Sequence, residues 1–268
     1  MASKKSPIGL IDAGVGGLTV AKELAALLPS ENLIYCADSA NCPYGNRTKD
    51  EIIYLTGCML DFLEKQQVKL ALMACNSISA LKEHFQGKYS YPILDVITPA
   101  TTAVSTMDID AVGLVATKFT VESGVYEAQI KALKPGLTVY SHGSKDLAKL
   151  IDSGDLTGTE IKEEVKRIVQ DLGSYPIRHI ILGCTHYPIV SDVFNKVADE
   201  LSVSLSIINP AVYQAAQASE ILQSGSLLNE TETTGTRFIF TTGEKDICAH
   251  VLRHLGFSEF TIEQLDKF

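Results

Sequence analysis

Nine short apolar runs punctuate this chain: "IGLI", "NLIYCA", "LALMA", "YPILDVI", "AVGLVAT", "LTVYS", "HIILGC", "LSIIN" and "RFIFTT". Between them lie stretches such as "TVAKELAALLP", "DEIIYLTGCMLDFLEKQ" and "TGTEIKEEVKRIVQDL", whose apolar residues recur every three or four positions. Runs of the first kind read as buried strands and stretches of the second as amphipathic helices. Their alternation predicts an α/β fold with mainly parallel sheets and crossover helices. At 268 residues the chain is long enough for one or two compact lobes.

The two halves echo each other. "IGLIDAG" is followed, 66 positions after Gly9, by Cys75 in "LALMACNS"; "VGLVATK" is followed, 71 positions after Gly113, by Cys184 in "HIILGCTH". Each half pairs a V/I-G-L-V/I strand with a later buried strand that ends in a small residue, a cysteine and a polar residue.

The glycine turn in "IGLIDAGVGGLTV" raises the question of a nucleotide phosphate. A dinucleotide fingerprint needs G-x-G-x-x-G; Gly14 and Gly16 fit, but the third position is Thr19. Asp38 lies where a ribose-binding acid would fall, yet Asp12 would set a carboxylate against the phosphates, where repulsion is costly. The reading preferred here has the glycines turning the chain sharply while Asp12 faces a crevice at the strand ends, where open α/β sheets bind ligands.

Charge narrows the partners. With 32 acidic against 23 basic side chains the formal charge is −9, and no Lys/Arg run offers a track for nucleic acid. No stretch reaches the ~18 apolar residues of a membrane span, and the N-terminal apolar run stops at Asp12, too early for a signal peptide. Six cysteines, at 36, 42, 58, 75, 184 and 248, show no zinc spacing. Free thiols in a reducing cytoplasm, with no metal, are the expectation.

Cys36, Cys58 and Cys248 sit within strand or helix patterns and read as packing residues. Cys42, in a loop before Pro43, is left open. Cys75 and Cys184 differ, because each ends a strand at a helix start, where free backbone N–H groups favour a thiolate. His186, two residues from Cys184, is placed to orient or exchange protons with that thiol. Inverting a carbon centre needs a base on one face and an acid on the other. Two thiols on facing walls suit that task, with Asp12 assisting one and His186 the other.

With these residues in view, the chain resembles the glutamate racemases, cofactor-independent enzymes of the aspartate/glutamate racemase superfamily. The resemblance rests on "DAGVGGLTV", "ADSANCPYGNRTKDEI", "ACNSISA", "LGCTHYPIV" and "FTTGEKD", in family order. It implies two pseudo-symmetric α/β lobes, 1–98 with 209–268 and 99–208, enclosing the active site between them. It implies Cys75 and Cys184 as the proton-transfer pair and Asp12 and His186 as their assistants. Ala13, Pro43, Tyr44, Gly45, Asn76, Ser77, Thr117 and Thr185 fall at its substrate-contact positions. The substrate would be a small acidic amino acid, the cofactor none, the assembly a homodimer and the product D-glutamate for peptidoglycan.

The chain departs from the family pattern in places. Ala13 stands where the family has Ser, Ser77 where it has Thr and Ala116 where it favours Gly. The segment "HGSKDLAKLIDSGDL" lacks the usual Cys-Pro, and Asn209-Pro210 replaces "DS". Aspartate, another acidic substrate or a non-catalytic ligand-binding relative is the competing expectation.

Overall fold

The structure is a computed structural model and describes residues 3–257 and 259–268. Ten strands form two sheets: β1 Ile8–Asp12, β2 Leu33–Ala37, β3 Leu70–Met73, β4 Ile93–Asp95, β5 Ala111–Thr117, β6 Thr138–Ser144, β7 His179–Gly183, β8 Ser206–Ile208, β9 Arg237–Thr241 and β10 Thr261–Gln264. The six-stranded sheet has the order β10-β9-β2-β1-β3-β4 and the four-stranded sheet β6-β5-β7-β8. Every pairing is parallel, so helical crossovers cover the sheets as the alternating sequence predicts.

The echo between the halves becomes an equivalence of position. β1 has β2 on one side and β3 on the other, and β5 is likewise flanked by β6 and β7. Winding therefore reverses beside β1 and beside β5, and a crevice opens at the carboxyl ends of strands at such points. Cys75 follows β3, whose Met73 pairs with Ile11 of β1; Cys184 follows β7, whose Gly183 pairs with Ala116 of β5.

One apolar cluster runs from Leu10 and Leu72 of the larger sheet to Leu182 and Val165 of the smaller sheet's side, so the two sheets share buried surface. The helix Pro210–Ser224 touches β4 of the larger sheet and β7 of the smaller. Its Gln214 side chain is fully buried and Nε2 donates to Met73 O (3.1 Å) and Leu94 O (3.3 Å). The Asn209-Pro210 departure has a local reason here: Asn209 Oδ1 caps the helix by accepting from Ala211 N (3.1 Å), and Pro210 occupies its first turn.

The helix Lys49–Lys65 begins with a reciprocal capping box between Thr48 and Glu51, and its Ile52, Met59, Leu60 and Leu63 face inward. Thr48→Ala is expected to cost about 1 kcal/mol of stability, read as a lowered denaturation midpoint. Among the described residues no helix is long and apolar enough to cross a membrane.

Candidate active site

The carboxyl ends of β1, β3, β5 and β7 meet around a narrow crevice. Ala13, Cys42, Pro43, Tyr44, Gly45, Cys75, Asn76 and Ser77 line it from one side, and Thr117, Ala148, Cys184 and His186 from the other. Ten of the twelve positions expected from the sequence are thus brought together. The two remaining, Asp12 and Thr185, lie behind the wall. Asp12 is fully buried; Oδ1 accepts from Gly14 N and Oδ2 from Thr185 Oγ1, both at 2.8 Å. The Thr185 hydroxyl is therefore engaged by Asp12 and is not among the side chains that line the crevice.

The two thiols have different surroundings. Cys75 is 8% exposed and Cys184 6%. Burial, reinforced by the charge of Asp12, pushes the Cys75 thiol well above its ordinary value, although Ile78 N–H donates to its sulfur. Cys184 Sγ lies 3.8 Å from His186 Nδ1. His186 Nε2 in turn lies 3.2 Å from Asp152 Oδ1. Burial alone would lower His186, but hydrogen bonds with Asp152, Cys184 and Cys42 outweigh it and raise the imidazole well above its usual range. Burial likewise works against the Asp152 carboxylate, but the hydrogen bond and charge of His186, with Val15 N–H and Cys42, leave it lowered. Cys184 thus has an imidazolium beside it, and Cys75 a carboxylate behind it that burial holds above its own ordinary value.

Asp152 and Cys42 complete a cluster that the sequence reading missed. The ligand atoms of Cys42, Asp152 and His186 lie within 4.8 Å of one another, and among the described residues this is the one set suited to holding a cation. Hydrogen bonding accounts for its closeness, and burial pushes the Cys42 thiol up to about 12, so it stays protonated. Asp152 also receives Val15 N–H (3.2 Å) from the opposite sheet's side. The only signal for Asp152 was that its segment, "HGSKDLAKLID", departs from the family pattern.

Contact across the crevice is close. Thr117 caps the helix Lys118–Glu122 by accepting from Thr120 N (3.3 Å), and the same hydroxyl meets Ser77 Oγ at 3.1 Å. A Cβ at Gly45 would fall 2.5 Å from Thr117 Cβ, and one at Gly16 2.7 Å from His186 N. Only bare backbone fits at these two crossings. Tyr44 is held by its hydroxyl, which donates to Asp38 Oδ2 (2.6 Å), while Thr242 Oγ1 occupies Oδ1 (2.9 Å). Asp38 therefore anchors the Pro43–Gly45 loop, and a ribose-binding role finds no support.

Comparison with known proteins follows the same residues. The family model for Asp/Glu/hydantoin racemase matches residues 8–218. A glutamate racemase from Bacillus cereus is 36% identical over 239 residues, covering 88% of each chain. Among solved structures, a glutamate racemase isoform from Bacillus anthracis superposes with a TM-score of 0.89 at 32% identity, covering 98% of both chains. One from Francisella tularensis, solved with D-glutamate, gives 0.87 at 29% identity and the same coverage. The chain belongs to the Asp/Glu/hydantoin racemase family and is an amino-acid racemase, an isomerase.

Proposed function

We propose that the chain interconverts L- and D-glutamate by proton transfer between two thiols, without a cofactor. The observation that carries this reading is that Cys75 and Cys184 line one crevice from equivalent strand ends of two facing sheets. The two lobes would be 1–98 with 209–268 and 99–208. Curated relatives and solved neighbours named as glutamate racemases, one holding D-glutamate, support glutamate as the substrate.

In one direction the Cys184 thiolate, beside the His186 imidazolium, takes the α-proton. The Cα–H electron pair stays on carbon as a carbanion adjoining the carboxylate, and the Cys75 thiol delivers its proton to the opposite face. The enzyme is left with Cys75 as thiolate and Cys184 as thiol, ready for the reverse substrate. Asp12, buried behind Cys75, assists it through its charge, while Gly14 N–H and the Thr185 hydroxyl hold the carboxylate in place. Asn76, Ser77 and Thr117 hold the substrate's carboxylates and amine, with the Pro43, Tyr44 and Gly45 loop closing over it. The same reading carries a homodimer, a cytoplasmic setting and D-glutamate supply for peptidoglycan.

NMR of L- and, separately, D-glutamate with the protein in D2O, with circular dichroism following optical rotation, tests it. The expected result is loss of the α-proton signal together with convergence on the racemate. No exchange from either enantiomer would reject glutamate and turn the same assay to aspartate. Ala13 is the observation that favours that second acid, because the hydroxyl the family places there is missing. Ala13→Ser restores a donor on the crevice wall and should lower KM for glutamate about fivefold, equivalent to ~1 kcal/mol; an unchanged KM would show that the hydroxyl does not reach the substrate.

A further inference from the structure

Asn76 is 2% exposed, lines the crevice, and its Nδ2 has no hydrogen-bond partner among the described residues. A buried amide donor left unpaired is costly, so its orientation has to be maintained by something else. Its Oδ1 accepts from the hydroxyl of Tyr126 at 2.7 Å. Tyr126 sits on the helix Val125–Leu133, in the core packed against the smaller sheet, and is 1% exposed. The separation is that of an O–H···O bond, shorter than the usual N–H···O distance. Burial pushes the phenol well above its ordinary value, so it keeps its proton and donates.

We propose that Tyr126 is a positioning residue: its hydroxyl, reaching from the core of the smaller sheet behind the crevice wall, fixes the Asn76 amide so that Nδ2 faces inward and donates to a substrate carboxylate. This rests on the glutamate racemase reading above. An asparagine amide is nearly symmetric in shape, and a half-turn about its last bond exchanges donor for acceptor. With the acceptor inward the site would repel a carboxylate. Without the Tyr126 hydroxyl nothing among the described residues selects the productive orientation, and Oδ1 loses its partner as well.

Tyr126→Phe removes one oxygen and keeps the ring in its place. The contact it is argued to control is made to substrate and transition state alike, so KM should rise about tenfold in both directions with kcat within about threefold. The rise in Tm that glutamate confers should shrink in parallel. Ile130→Val, on the same helix and fully buried, should lower the Tm of the free protein and leave KM unchanged. In an Asn76→Ala background Tyr126→Phe should add nothing further to KM.

Unchanged KM and an unchanged substrate-induced Tm shift in Tyr126→Phe would overturn the inference, as would an equal rise in KM from Ile130→Val. Additive losses in the double variant would also overturn it. Wild-type protein that neither turns over glutamate nor is stabilised by it would instead reject the functional reading, and the inference with it. Wild-type turnover beside an unaffected Tyr126→Phe variant rejects the inference alone.

Discussion

Cys75→Ala and Cys184→Ala are each expected to reduce racemisation by ~10²–10⁴-fold in both directions, the usual contribution of one general acid or base. The loss is symmetric because each thiol is the base in one direction and the acid in the other. Exchange with solvent should separate the two variants. With Cys75 removed, Cys184 still takes the α-proton from the enantiomer that presents it, exchanges that proton for deuterium, and returns the deuteron to the same face. One enantiomer then loses its α-proton signal without inverting, and the complementary variant does the same with the other enantiomer. Both residues are already more than nine-tenths buried and small, so alanine leaves the walls nearly intact. Full activity in both single variants would sink the two-thiol scheme, and exchange of the same enantiomer in both would place the thiols on one face.

The fold was legible because buried parallel strands leave a strong mark. All nine apolar runs correspond to strands, and the repeated strand-glycine pattern marks the central strand of each sheet. β10 was not foreseen: "TIEQ" is an edge strand with no fully buried residue, so its sequence carries no apolar run to find. The lining of the crevice was legible where it falls in a motif, at Cys75, Cys184, His186 and the Pro43–Gly45 loop. It was not legible where it depends on a contact between distant segments. Asp152 reaches Val15 across 137 positions and Tyr126 reaches Asn76 across 50. Neither residue stands out locally, because a carboxylate at a helix end and a tyrosine on an amphipathic helix are ordinary there. Thr185 falls in a motif the sequence shows, but the bond its hydroxyl makes to Asp12, 173 positions away, does not stand in that motif.

Asp152→Asn should remove the charge that holds His186 protonated. The imidazole then falls back toward its usual range, and the alkaline limb of kcat/KM is expected to move to lower pH. Stability should follow the same pair. His186 is raised in the folded state, so its contribution is fully present below the unfolded value of 6.5 and is lost as pH rises through the folded value. Asp152 is lowered, so its contribution is present above the unfolded value of 3.8 and is lost as pH falls through the folded value. Between these bounds both charges are in place, and breaking a buried pair by removing one partner costs about 3–5 kcal/mol. The deficit of Asp152→Asn against wild type is therefore expected to be largest near pH 4–6.5 and to shrink on the alkaline side, where His186 is neutral in both proteins. Denaturant midpoints measured across pH, beside kcat/KM profiles, check the two halves together. A deficit that stays constant from acid to alkaline pH would mean that Asp152 acts through Val15 N–H and packing alone. A shifted activity limb with a flat stability difference would mean that the pair tunes His186 only once substrate has closed the crevice.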